Sequence, residues 1–84
     1  MMNKIETLKS ALAARNDEID GYQINIDNYI RAIAKIEANY ADNPAMVDFG
    51  ERLKELLEQH KTEQLKAIII RDVVADQLAE QEVS

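Results

Sequence analysis

The chain has 84 residues, 46% of them hydrophobic and 31% charged, with ten basic against sixteen acidic side chains and a net charge of −6. That length is one domain at most, near the size at which a lone hydrophobic core is marginal, and the hydrophobic share argues against wholesale disorder. The acidic balance, with Lys and Arg scattered among carboxylates, disfavours direct nucleic-acid binding, which needs clustered cations to neutralise phosphates. There is no cysteine, so disulfides and thiolate chemistry are excluded, and a reducing cytoplasm is the expected setting.

Gly21, Gly50 and Pro44 are the only glycines and proline. A sheet-rich domain needs many turns built from these residues, so their scarcity predicts an all-α chain with few connections. The N-terminus lacks the unbroken apolar run of a signal peptide. The longest apolar run, Ala67 to Ile70, is far too short to cross a bilayer. The expectation is a soluble cytoplasmic protein with no membrane partner.

Asn3, with Glu6 three residues on, reads as a capping box opening a first helix over about residues 3–41. A seven-residue pattern then runs without a phase break. One set of positions holds Ile5, Leu12, Ile19, Ile26, Ile33 and Tyr40, and the alternating set holds Leu8, Arg15, Tyr22, Tyr29 and Ile36. A helix that buries one seam has this period. Gly21 interrupts it at a cost of about 1 kcal/mol relative to alanine. It serves either a close backbone approach or a bend.

The one credible break is ADNPA, Ala41 to Ala45. The residue before a proline is biased away from helical geometry. Residues 42–44 are therefore read as the turn, with Asn43 the N-cap of a second helix and Pro44 its first residue. That helix should run to about residue 80, unless it breaks near residues 59–63 to give a third.

Its first half shows a single stripe of Met46, Phe49, Leu53, Leu56 and Leu57, then His60. Gln64, Ala67, Ile68, Ala75 and Leu78 roughly continue it. A second stripe, Leu65, Ile69 and Val73 at spacings of four, lies elsewhere on the helix, and Ile70 and Val74 widen the apolar arc. A connection this short folds the second helix antiparallel to the first, and facing residues should have numbers adding to about 87. The intrahairpin seam is then expected to hold Ile19, Ile26, Ile33, Phe49, Leu53, Ile68 and Leu78.

A two-helix hairpin leaves one side of every seam residue open. Leu65, Ile69, Ile70 and Val73, with Ile24 of the first helix, are accordingly expected to form a self-association or partner interface. The simplest assembly is a homodimer, a four-helix coiled-coil-like bundle about a two-fold axis.

Chemistry-bearing motifs are scarce. His60 is the only histidine, and no nucleophile stands in triad context with it. A di-iron Glu-x-x-His motif ending at His60 would need glutamate where Leu57 stands. Asn16 to Asp27 has a calcium-loop rhythm, but begins on Asn, carries Glu at its third position and polar Gln23 at its eighth. Solvated helix is the better reading there. No cofactor or metal is implied, and the chain is expected not to be an enzyme. Glu51, Glu55 and Glu58 with Asp17, Asp20 and Asp27 suggest a DNA-mimicking face, but Arg52, Lys54, Lys61 and Lys66 interrupt it, which favours an ordinary solvated surface.

The segment GYQINIDNYIRAIAKIEANYADNPAMVDF, Gly21 to Phe49, resembles stretches in small accessory proteins of tailed bacteriophages and prophages. The likeness lies in the opening MNKIETLK, the amphipathic INIDNY and the DNP turn, over about the first 50 residues. It implies a phage-derived protein in a bacterial host cell that binds a host or phage protein. Two roles follow: inhibition of a nucleic-acid-directed defence or recombination machine, or a structural and assembly part in virion or scaffold with no inhibitory target. It transfers no functional residue.

Overall fold

A computed structural model describes residues 3–83 as two α-helices, α1 (Lys4–Asn39) and α2 (Pro44–Val83), packed side by side in a hairpin 62 × 18 × 16 Å. No strand occurs among the described residues. Both helices start as the sequence dictates. The Asn3 Oδ1 accepts the Glu6 backbone N–H at 2.8 Å, and the Asn43 Oδ1 accepts that of Met46 at 3.3 Å. Each cap satisfies a donor that the first helical turn leaves without an intrahelical partner.

The connection is one tight turn. The Tyr40 N–H still bonds to the Ile36 carbonyl at 2.8 Å, and the Asn43 N–H returns to the Tyr40 carbonyl at 3.0 Å. α1 therefore ends two residues before the expected position, and α2 runs three residues beyond it. α2 does not break near residues 59–63. With neither glycine nor proline between Glu51 and Val83, nothing there removes a backbone hydrogen bond or relaxes φ.

Four cross-helix contacts define the register from the turn to the far end. Lys54 Nζ lies 3.5 Å from a Glu37 carboxylate oxygen, and the Tyr29 and His60 rings stand 5.1 Å apart. Gln64 Nε2 donates to Gln23 Oε1 at 2.9 Å, and Lys9 reaches Glu82 at 4.0 Å. These pairs add to between about 87 and 91, as a straight antiparallel pairing requires.

Burial follows the seven-residue period of the seam, with Ala11, Ala32, Leu56, Ile68 and Ala75 half-buried at its flanks. On α1 it recurs at Ile5, Leu8, Leu12, Ile19, Tyr22, Ile26, Tyr29, Ile33 and Ile36. On α2 it recurs at Met46, Gly50, Leu53, Leu57, His60, Gln64, Ala67, Arg71, Val74, Leu78 and Gln81. Arg15 and Tyr40, at the matching phase of α1, stay exposed, and Arg15 turns out to Glu18 at 2.9 Å.

Of the residues expected in the seam, Ile26, Leu53 and Leu78 are buried, while Ile19, Ile33 and Ile68 are half-buried. Phe49 is a correction: 47% of it is exposed, and its neighbour Gly50 is the buried residue. The phase shared by Met46, Leu53 and Leu57 turns position 50 toward α1. A Cβ there would meet the Ile36 Cγ2 at 3.4 Å, so the missing side chain lets Ile36 settle over the α2 backbone. Gly21 has no such neighbour within 4 Å, and α1 passes through it as unbroken helix.

Candidate functional site

The far half of α2 departs from the usual arrangement of an amphipathic helix, although Ile68 is half-buried and Leu78 buried on its inward side. Its inward positions hold Gln64, Ala67, Arg71, Val74, Leu78 and Gln81, largely small or polar. Its outward positions hold Leu65, Ile69, Ile70 and Val73, exposed at 61%, 61%, 46% and 47%. Ala67 faces α1, and two residues turn a helix by about 200°, so Leu65 and Ile69 point away from α1 on either side of it. Leu65, Ile69 and Val73, each four residues apart, make a continuous aliphatic ridge along the back of the helix.

Ile24 does not belong to that ridge. It is exposed, but it lies two residues from both Tyr22 and Ile26, which turn toward α2. The same rotation puts it on the outer side of α1, across the width of the hairpin from the α2 face. The expected five-residue interface is thus an α2 ridge of Leu65, Ile69 and Val73 edged by Ile70, with Ile24 apart. Periodicity within one helix could group the α2 residues, whereas relating Ile24 to them needed the placement of both helices.

The inward side of this half is held by polar contacts. Gln64 Nε2 donates to the Ile19 carbonyl at 3.3 Å as well as to Gln23, whose own amide donates to Asp27 Oδ1 at 3.0 Å. One amide thus ties α2 to the backbone and a side chain of α1. The calcium-like segment Asn16 to Asp27 lies wholly within α1.

His60 sits between Tyr22 and Tyr29, seven residues apart on the facing helix. Its ring meets theirs edge to face at 5.8 and 5.1 Å. Its Nδ1 is buried and meets no hydrogen-bond partner in the hairpin. The neighbouring Thr62 hydroxyl is engaged elsewhere, its Oγ1 donating to the Glu58 carbonyl at 3.1 Å. The imidazole is an aromatic packing element of the seam.

Beside the turn, Ile33, Ala41, Val47 and Gly50 line a cleft of about 180 Å³, rimmed by Glu37, Glu51 and Lys54. Small-molecule sites usually enclose about 300–1,000 Å³, so this cleft has room for a side chain rather than a substrate. Lys54 Nζ lies 3.1 Å from Glu51 and 3.5 Å from Glu37. The hydrogen bond that Lys54 donates to Glu51, and that carboxylate's charge, hold the lysine above its ordinary range.

The acidic surface is locally neutralised. Lys54–Glu51, Lys61–Glu58, Lys66–Glu63 and Arg15–Glu18 all pair at i,i+3 spacing, within 2.9–3.4 Å. A one-sign surface of the kind that copies a nucleic-acid backbone is not what these faces present. Among the described residues, no group of three or more His, Asp or Glu side chains is placed to hold a metal ion. No described helix is long and apolar enough to cross a membrane. No protein-family model matches the chain, and neither a curated protein nor a solved structure matches it.

Proposed function

We propose that the protein is a non-enzymatic protein–protein interaction module that binds another polypeptide through the aliphatic face of α2. The observation that carries this reading is the exposure of Leu65, Ile69, Ile70 and Val73 on one stretch of a helix. Contiguous apolar surface of this kind marks interaction sites in soluble proteins. The hairpin supplies a stiff rod on which that face is displayed.

The likeness of Gly21–Phe49 to phage accessory proteins supports a partner inside a bacterial cell, and an inhibitory target in nucleic-acid-directed defence or recombination. The 62 Å rod also suits a structural role in phage assembly. The test compares tagged wild type with the double variant Ile69→Asp, Val73→Asp, after circular dichroism has shown equal helix content. Partners retained by wild type and lost by the variant support the module, whether they are copies of this chain, host nucleases or virion proteins. Equal recovery from both, or nothing retained by either, overturns it.

A further inference from the structure

We infer that the hairpin is built from two cohesive parts. Its far arm, Lys4 to Ala14 of α1 with Asp72 to Val83 of α2, opens and closes as a unit while the rest stays folded. The junction is a layer of the seam in which two arginines face each other. This holds whatever occupies the α2 face.

Ile36 lies against Gly50. Three seven-residue repeats back along α1, and three forward along antiparallel α2, carry that pairing to Arg15 and Arg71. The flanking layers pair Ile19 with Ala67 and Leu12 with Val74, and Leu8 meets Leu78 beyond them. Two guanidinium groups kept inside such a layer would be like charges in the seam with no carboxylate between them. Each turns out instead: Arg15 Nη1 donates to Glu18 at 2.9 Å, and Arg71 Nε donates to Asp72 at 3.1 Å.

They leave by opposite edges. Asp72 follows an inward residue, as do Lys54 and Glu82, which meet Glu37 and Lys9 along one edge of the hairpin. Glu18 precedes the inward Ile19, which puts it on the other edge. At its centre the layer keeps no more than arginine stems. Residues 13–18 of α1, more than one helical turn, are all exposed.

Cohesion differs on the two sides of this layer. Toward the turn, Gln64 is tied to the Ile19 carbonyl and to Gln23, and Ala67 is buried. Away from it, the arm rests on Leu8 and Leu78, on half-buried residues around them, and on a 4.0 Å contact between the exposed side chains of Lys9 and Glu82. Exposed ion pairs hold weakly. Once the seam parts there, each helix is left with about a dozen residues lacking a packed face, and helices that short are marginal in water. Parting and melting of the arm are then one event, bounded by the arginine layer. Leu65 and Ile69 stand on the near side of that boundary and Val73 in the arm, so the aliphatic ridge is continuous only while the arm is closed.

Residue-resolved hydrogen exchange on the full chain tests this, for wild type, Ile26→Val and the double variant Arg15→Leu, Arg71→Leu. In wild type, arm amides of both helices should share one opening free energy, lower than that around Ile26 and Leu53, with a step at the arginine layer in each helix. Ile26→Val loosens only the part nearer the turn. It should speed exchange there by about fivefold and leave the arm unchanged, because the arm opens while that part is folded. The leucines of the double variant pack against Leu12 and Val74, and should slow the arm amides by about fivefold or more. Protection that rises gradually from the helix ends without a step would overturn the inference. So would an Ile26→Val variant that speeds all amides alike, or an arm indifferent to the two leucines.

Discussion

Near the turn, although Val47 and Phe49 are exposed, α2 separates apolar from charged residues more cleanly than at its far end. Between Met46 and His60, the inward positions carry Leu53 and Leu57 and the outward ones carry Glu51, Arg52, Glu55 and Glu58. Between Gln64 and Gln81 both sides are mixed: Gln64 and Arg71 stand inside with Ala67, Ile68, Val74 and Leu78, while Leu65, Ile69 and Val73 stand outside among Lys66, Asp72 and Asp76. Both halves belong to one unbroken helix packed on one partner. The difference teaches that helical phase, set by the better-packed half, decides which residues face inward in the other, even where hydrophobicity would choose differently.

The largest expected effect contrasts two leucines of α2. Leu53→Ala removes a side chain that is nearly fully buried and should cost about 3 kcal/mol of hairpin stability. Leu65→Ala, measured by denaturant unfolding in dilute solution, should change it by less than about 0.5 kcal/mol. Equal losses at the two positions would break the contrast between the halves.

A smaller effect sharpens it. The Arg71 side chain is 34% exposed at an inward position and reaches out to Asp72 at 3.1 Å. Arg71→Leu should add about 1 kcal/mol by placing an apolar side chain at the seam, seen as a rise in melting temperature. A fall would mean that the arginine stem already fills that site as well as leucine can.

The smallest effect concerns the turn-proximal half. Lys54 titrates above its ordinary 10.5 because of Glu51 and then Glu37. A group whose pKa is raised by folding contributes stability below its unfolded pKa and loses it as pH rises through the folded value. The difference in melting temperature between wild type and Lys54→Met should therefore be small at neutral pH and vanish well above pH 10.5. A difference that persists there would assign the lysine's role to its methylene stem.

Much of this architecture was legible residue by residue. The scarcity of glycine and proline, the caps at Asn3 and Asn43, and the seven-residue run from Ile5 to Ile36 predict two helices, their ends within a few residues, and their pairing. What was not legible was rotation. Reading the apolar residues of α2 as its inward stripe selected Phe49 over Gly50 and gave no place to Arg71. The phase of a seam is a property of the pair of helices, and a small or polar residue at the right phase is buried by its neighbours. Ile24 shows the same limit, since its exposure could be inferred from its own helix but its distance from the Leu65–Val73 ridge could not.

By itself, then, the chain's composition and spacing determined helices, one turn, antiparallel pairing and an excess of aliphatic surface between Leu65 and Val73, because backbone hydrogen bonding and capping are local. Only the tertiary structure decided which side of α2 meets α1, and so which aliphatic residues are left outside. That choice minimises the free energy of the whole seam, from Met46 to Gln81, and no single segment of the sequence contains it.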